Sequence, residues 1–151
     1  MIPLRTLRCR TVAEGRFRQM NYVRDRPPFA VDEPSGIPVA DPAQQPLEVL
    51  LSALGSCLAI GIRANAVARA IALSRLELEI EADVSSAPME GASPEPIGFE
   101  TVRVAVHLEA DAPRDALAAL VARAALWSPV ANTLHNGARL DIALAPPSPR
   151  G

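Results

Sequence analysis

The chain has 151 residues, a length that suits one domain with a single hydrophobic core. Hydrophobic residues make up 49% of it and aromatic residues only 3%, so the core must be built from Leu, Val, Ile and Ala. The formal net charge of −2 argues against general affinity for nucleic acid or acidic lipid, and neither is expected as a partner.

The basic residues are unevenly distributed. All fifteen are Arg, and seven of them lie within residues 1–26, where only Glu14 and Asp25 oppose them. A basic N-terminal arm of this kind could bind phosphate or RNA. The alternative, which we favour, is that these side chains line the solvent-exposed face of a hairpin.

Three features predict a cytoplasmic protein without metal or cofactor. Arg5, Arg8 and Arg10 interrupt the segment where a signal peptide would need an unbroken apolar stretch. The longest mostly apolar run, residues 49–62, has fourteen residues, which is too short to span a bilayer and indicates a buried core helix. The two cysteines, at unrelated positions, suggest neither a disulfide framework nor a zinc site.

The N-terminal part of the chain has the pattern of strands. Residues 4–13 and 16–23 flank the short turn Glu14-Gly15, which predicts a hairpin. Repeated Pro and Gly residues then divide residues 26–44 into a loop around a short extended piece at 29–32.

A long helix is predicted over residues 46–71. Pro46 suits the first helical position and Glu48 the first turn. Apolar residues surround the axis instead of forming one stripe, which indicates a helix covered on all sides. Gly55 and Gly61 are places where another helix could approach closely, and burial against a second subunit would be an economical cover.

The next pattern is that of two amphipathic strands. Residues 76–84 alternate between apolar and acidic side chains, and residues 101–108 alternate in the same way. The Pro- and Gly-rich residues 85–98 between them predict a loop.

The last third predicts two helices and a strand. One helix spans residues 113–126, with Asp111 as its cap and a buried stripe at Leu117, Leu120, Val121 and Ala124. Ser128-Pro129 predicts an N-cap followed by a short helix that ends near residue 134. Asn136-Gly137 then turns the chain into a strand at 138–143. This order of elements indicates an α+β domain.

Two segments carry a resemblance to a known family. One is Asp32-Glu33-Pro34, followed by Pro46-x-Glu48-x-Leu50-Leu51-x-Ala53-Leu54-Gly55-x-Cys57. The other is Ser128-Pro129-Val130 with Thr133-Leu134. Both resemble the osmotically inducible protein C (OsmC) family, which includes the organic hydroperoxide resistance proteins. The resemblance implies one OsmC-like domain over residues 1–151, with an antiparallel sheet wrapped around a long central helix, in an intertwined homodimer.

The resemblance also implies a reaction. In the family's hydroperoxide reductases a cysteine thiolate attacks the O–O bond of a peroxide and becomes a sulfenic acid. Cys57 would be this nucleophile. Because Cys57 lies about three turns into its helix, where the terminal dipole has faded, an Arg from elsewhere would stabilise the thiolate. Arg16, which follows Gly15, is the first candidate, and Arg18 is the second. The alternatives are a buried structural thiol at Cys57 and a solvated Arg16.

Two positions depart from the family pattern. Ser128 occupies the position of the resolving cysteine, and a serine cannot form a disulfide, so its expected role is only to cap a helix. Leu47 occupies the position of an acid that orients the Arg. Glu48 is next to it but lies on the opposite side of the helix from Cys57, so a helix-stabilising role is expected.

The remaining candidate residues have ordinary interpretations. Cys9 lies in the first predicted strand and could replace the missing resolver, although an ordinary strand thiol is the preferred interpretation. His107 and His135 lack metal-ligand spacing.

Two functions compete at this point. The first is an OsmC-like thiol peroxidase in which an organic hydroperoxide oxidises Cys57 and an external small thiol or dithiol regenerates it. The second is an OsmC-like protein without peroxidase activity that binds an apolar or electrophilic small molecule at the dimer interface.

Overall fold

A computed structural model describes residues 1–32, 43–85 and 97–147. Residues 33–42 and 86–96 lie outside these ranges and make up most of the two predicted loops. They include Glu33 and Pro34 of the family motif. The contacts divide the chain into two units, Met1–Ala53 and Leu54–Gly151. The elements in chain order are β1 (Arg10–Ala13), β2 (Gln19–Tyr22), β3 (Phe29–Val31), α1 (Pro46–Ala68), β4 (Leu73–Val84), β5 (Phe99–Ala110), α2 (Arg114–Trp127) and α3 (Pro129–Asn136).

The first unit contains a three-stranded antiparallel sheet in the order β1-β2-β3. The predicted hairpin is present, but Ala13 pairs with Gln19, so residues 14–18 form a longer loop than the two-residue turn expected. The prediction that the first strand begins at residue 4 was wrong. The ladder ends where Arg10 pairs with Tyr22, and none of the described strands pairs with residues 4–9.

The start of α1 agrees with its prediction. Pro46 is the first helical residue, and the backbone N–H of Gln45 donates to Glu48 Oε2 at 2.9 Å. This contact satisfies a donor at the helix start in the manner of a capping box. Glu48 therefore stabilises the first turn, as the sequence indicated.

The end of α1 comes three residues earlier than predicted, at Ala68. The N–H of Ile71 donates to the carbonyl of Ala66 at 3.0 Å, and Ala70 adopts a φ of 54°. Together these form a Schellman motif, whose left-handed residue is usually glycine. Because an alanine occupies that position here, no glycine marks the end of the helix in the sequence.

The faces of α1 differ in burial within the chain. A stripe on one face is buried: Leu54, Leu58, Ile62 and Ala66. Two large apolar residues elsewhere on the helix, Ile60 and Val67, remain 70% and 74% exposed. A single chain therefore leaves part of this apolar helix uncovered.

The two glycines of α1 lie against different elements. A Cβ added at Gly61 would lie 3.2 Å from the Cβ of Ala124 on α2, so a helix does approach there, as predicted. A Cβ added at Gly55 would lie only 2.6 Å from Cδ1 of Ile80 on β4. Gly55 thus accommodates a strand of the same chain, and the expectation of a neighbouring helix was wrong at that position.

By length and composition, α1 could cross a membrane, with a mean hydropathy of 1.6, and no other single unbent helix in the described part of the chain could. The prediction that this segment is too short was wrong, because the apolar run of residues 49–62 lies within a helix of 23 residues. The core helix of a soluble protein meets the same criteria. Since α1 packs against α2 through Gly61, we interpret it as a core helix.

The hairpin of β4 and β5 confirms the predicted alternation. Leu78 pairs with Val106 and Ile80 with Val104 on the inner face. The core of this unit is centred on the buried residues Ile62, Ala66, Leu120 and Ala124. This cluster includes half of the stripe predicted for α2, and the other half, Leu117 and Val121, packs around it.

The outer face of the hairpin is polar and paired across the strands. Arg103 forms a bidentate pair with Asp83 and holds the pKa of that carboxyl below its usual value, mainly through the hydrogen bond. His107 contacts Glu79 at 2.9 Å. Exposed pairs of this kind contribute little to stability, so the hairpin depends mainly on its apolar face.

The two C-terminal helices meet at Ser128. Residue Pro113, not Asp111, precedes α2, and no side chain caps that helix, so the predicted Asp111 cap was wrong. Ser128 is the N-cap of α3, with Pro129 following it, as predicted. Gly137 ends α3 with a φ of 73°, in agreement with the predicted turn.

The predicted last strand, residues 138–143, does not form in the chain as described. Residues 138–147 have no regular structure, and Leu140, Ile142 and Leu144 are 78%, 88% and 99% exposed. The alternating pattern identifies a segment able to pair as a strand. A strand also needs a partner edge, and no described strand of this chain pairs with the segment.

Candidate active site at Cys57

The structure brings Cys57 and Ser128 together. Cys57 lies half-buried on α1, one residue before the buried Leu58. The hydroxyl of Ser128 donates to the Cys57 sulfur at an Oγ–Sγ distance of 3.1 Å. Ser128 is only 3% exposed. The sequence predicted a nucleophile at one position and only a helix cap at the other, and the two form a direct contact.

The other contact of Ser128 is compatible with this direction of the hydrogen bond. Its Oγ accepts the backbone N–H of Ala131 at 3.2 Å, which is the capping bond of α3. The hydroxyl proton is therefore available to the sulfur. One buried hydroxyl thus satisfies a helix terminus and a thiol at the same time.

The helix terminus near Cys57 is that of α3 and not that of its own helix, α1. Cys57 is far from the start of its own helix, but its sulfur contacts the N-cap residue of α3. The first N–H groups of a helix carry partial positive charge, which favours a neighbouring anion. The expectation that only an Arg could stabilise a thiolate here was therefore incomplete.

The predicted Arg residues lie in the first unit, whereas Cys57 lies in the second. Arg16 is exposed in the loop between β1 and β2, and its guanidinium carbon is 5.3 Å from the centre of the Phe17 ring. Arg18 lies 3.9 Å from a carboxylate oxygen of Asp32. A role for Arg16 beside the thiol remains a prediction.

Two further positions from the sequence analysis are Cys9 and Leu47. Cys9 is an exposed free thiol that precedes β1, so its placement within a strand was wrong by one residue. Cys57 is a free thiol as well. Leu47 is partly exposed in the first turn of α1.

An apolar cavity of about 580 Å³ lies in the same unit as Cys57. Its apolar wall comes from α1, β5, α2 and α3: Leu54, Leu58, Ile62, Val102, Val104, Val106 and Val121 contribute to it. Ala131, whose N–H binds Ser128, also lines it, and Glu100 and His135 supply polar groups. Cavities of this size accommodate small organic molecules.

Nothing in the described part of the chain suggests a metal centre. Residues 1–32, 43–85 and 97–147 contain no group of three potential ligands among His, Cys, Asp and Glu. His107 is engaged with Glu79 on the outer face of the hairpin, and His135 lines the cavity.

Comparison with known proteins places this arrangement in a family. The profile of the OsmC-like proteins matches residues 40–143, a range that includes both Cys57 and Ser128. The chain belongs to the OsmC-like protein family. The resemblance seen in its motifs is thereby confirmed. No curated protein matches the sequence at a significant level.

Solved structures show that the fold is the OsmC-like α+β fold. The OsmC-like protein of Mycoplasma pneumoniae is 17% identical, with a TM-score of 0.74 over 88% of this chain and 89% of that chain. An organic hydroperoxide resistance protein of Legionella pneumophila is 20% identical, with a TM-score of 0.61 over 88% and 91%. One from Elizabethkingia anophelis is 15% identical, with a TM-score of 0.66 over 91% and 93%. At such identities the likeness extends to the fold alone.

Proposed function

We propose that this OsmC-like protein is a single-cysteine thiol peroxidase that reduces organic hydroperoxides. The observation that carries the proposal is the half-buried Cys57 sulfur held at 3.1 Å by the buried Ser128 hydroxyl, at the end of a helix. Membership of the OsmC-like family and structural neighbours named organic hydroperoxide resistance proteins support the same reaction.

The proposed reaction has three steps. The Cys57 thiolate attacks one oxygen of the hydroperoxide ROOH, the O–O bond breaks, and the products are a Cys57 sulfenic acid and, after protonation, the alcohol ROH. A small external thiol then displaces water and forms a mixed disulfide with Cys57. A second thiol releases Cys57 and leaves as the oxidised external disulfide, so the external thiol supplies both electrons.

An organic peroxide fits this unit better than hydrogen peroxide alone. The wall of the cavity is mainly aliphatic, and Ala131, one of its lining residues, donates its N–H to the same Ser128 that contacts Cys57. An apolar group R in this cavity would gain free energy from burial. We therefore propose aliphatic or aryl-alkyl hydroperoxides as the substrate class.

The test of the reaction is trapping of its intermediate. Substoichiometric cumene hydroperoxide should convert Cys57 to a sulfenic acid that persists, because Ser128 cannot condense with it, and dimedone should label Cys57 in a peptide digest. Cys57→Ser should abolish peroxide consumption with small thiols as donors. Cys9→Ser is the matched control and should retain it.

Two results would contradict this reaction. A disulfide between Cys9 and Cys57 in the unmodified protein would mean that a resolving cysteine exists after all. If Cys57 resists both peroxide and alkylation, it is a structural thiol. The 580 Å³ apolar cavity would then favour the second function, the binding of an apolar small molecule.

Arg16 is proposed to stabilise the Cys57 thiolate, as the family resemblance implies. Arg16→Ala should therefore slow the reaction of Cys57 with iodoacetamide at neutral pH by roughly tenfold, the effect expected for losing an adjacent positive charge. Arg26→Ala, which removes another exposed Arg of the same unit, should leave the rate unchanged. An unchanged rate in Arg16→Ala would mean that Arg16 is a solvated loop residue.

A further inference from the structure

We propose that Ser128 is a positioning residue that stabilises the reactive thiolate of Cys57 with its hydroxyl, in addition to capping α3. The inference rests on the proposed function, because a stabilised thiolate serves the peroxidase reaction. The contact itself is given by the geometry of the site. Ser128 occupies the position where the family resemblance implies a resolving cysteine. In its place, the serine would contribute a hydrogen bond to the thiolate.

The contact has the geometry that this role needs. The Oγ–Sγ distance of 3.1 Å is short for a hydrogen bond to sulfur, and the Ala131 N–H occupies one lone pair of Oγ without engaging its proton. The hydroxyl can therefore donate to the sulfur without losing its cap. A donated hydrogen bond is stronger to an anion than to a neutral acceptor, so it favours the thiolate over the thiol.

The orientation of Ser128 is fixed by the residues around it. Pro129 restricts the backbone at the helix start, and the capping bond holds the Oγ. The side chain is almost completely buried, so water does not compete well for its hydroxyl. Ser128 thus resembles a fixed dipole aimed at the place where negative charge resides in the reactive form, and the N-terminus of α3 adds its partial positive charge behind it.

The same contact bears on the later steps. When Cys57 becomes a sulfenic acid, its new oxygen is a better hydrogen-bond acceptor than the sulfur, and Ser128 is in reach to donate to it. No disulfide forms between positions 57 and 128, since serine has no sulfur, and the sulfenic acid remains for the external thiol. Ser128 therefore replaces a covalent partner of the oxidised cysteine with a hydrogen-bonding one.

The experiment measures the rate of iodoacetamide alkylation at Cys57 against pH, with no peroxide present. In Ser128→Gly the rate at neutral pH should be roughly three- to tenfold lower, because the thiolate loses a hydrogen-bond donor. Gly is tolerated at an N-cap at little cost in stability. Ser128→Thr keeps a hydroxyl and a cap, and it should restore the profile.

Controls separate this effect from damage to α3. Asn132→Ala removes the bond from Asn132 Nδ2 to the Leu126 carbonyl in the same helix, without touching Cys57, and its profile should match the unmodified protein. Ser128→Ala keeps the Cβ but removes the hydroxyl, and with it the cap. It should change the profile in the same way as Ser128→Gly. The test can therefore be made with whichever of the two variants folds.

The outcomes distinguish this inference from the proposed function. Profiles of Ser128→Gly or Ser128→Ala that coincide with that of the unmodified protein would overturn the role of Ser128, even if peroxide still oxidises Cys57. If the profile shifts in these variants but the unmodified protein consumes no peroxide, the role of Ser128 is supported and the proposed peroxidase activity is refuted. An equal shift in Asn132→Ala would overturn the inference, because the effect would then come from the stability of α3.

Discussion

Ser128→Cys is expected to form a disulfide with Cys57 after a single reaction with an organic hydroperoxide. The Ser128 Oγ and Cys57 Sγ atoms already lie 3.1 Å apart, and a disulfide needs a separation of about 2 Å, so a small adjustment of side chains closes the bond. The sulfenic acid at Cys57 would condense with the new thiol and release water.

Ser128→Cys should almost completely change the product that excess peroxide forms at Cys57. With excess peroxide, the unmodified protein should accumulate the sulfinic acid at Cys57, an oxidation that cells do not generally reverse. Ser128→Cys should instead give the disulfide, read as the loss of two hydrogens and the absence of free thiol in the linked peptides by mass spectrometry. The loss of the cap on α3 should cost about 1 kcal/mol of stability.

The matched control places a third thiol on the same helix. Asn132→Cys replaces an exposed residue whose side chain contacts the Leu126 carbonyl, so it should leave over-oxidation of Cys57 unchanged. If Ser128→Cys forms no disulfide while Cys57 is still oxidised, the facing arrangement of positions 57 and 128 is wrong.

The second large effect concerns assembly, since we propose an obligate homodimer that includes α1. Ile60→Glu should then dissociate the dimer, because Ile60 is 70% exposed within the chain and has no cover there. Burial of one Ile side chain is worth about 1.5 to 3 kcal/mol, and two-fold symmetry counts it twice. The dimer affinity should fall by at least about a hundredfold.

Sedimentation at micromolar concentration measures this outcome directly. Ala119→Glu is the matched control, because it adds the same charge at an exposed position of α2 with Arg123 one turn later. A stable, folded monomer of the unmodified protein at micromolar concentration would refute the proposal. A dimer of Ile60→Glu as tight as that of the unmodified protein would exclude Ile60 from the interface.

The sequence predicted elements best where local pattern and packing agree. The alternation in residues 76–84 and 101–108 defines an apolar and a polar face, and β4 and β5 follow it over a longer span. Ser128-Pro129 is a local signal that specifies the start of α3 without reference to the rest of the fold. Such elements are predictable because their determinants are neighbours in the sequence.

The errors have the opposite origin. Residues 138–143 carry the pattern of a strand, but strand formation depends on a pairing edge that no local pattern reveals. The end of α1 was misplaced because Ala70 takes the left-handed conformation usual for glycine, and Ile71 after it packs against the core. Tertiary context determines both.

The candidate site was predicted in its parts but not as a whole. Cys57 and Ser128 were each identified by a motif, 71 positions apart, and their roles were assigned separately. The signal that could have joined them was already present, since the family pattern implies two cysteines that form a disulfide at these positions. Residues in such positions must face each other whatever their identity, so the resemblance itself implies that Ser128 lies near the sulfur.

The close approach of α1 to β4 also restricts how related sequences can diverge. A methyl group at position 55 would collide with Cδ1 of Ile80 at 2.6 Å, whereas the next atom, Cγ1, lies at 4.0 Å. An alanine at 55 therefore fits a valine at 80, or an isoleucine whose terminal methyl group has rotated away, and a glycine at 55 fits the isoleucine in its present rotamer. The two positions share room for a single methyl group, so a drift in one favours a compensating exchange in the other.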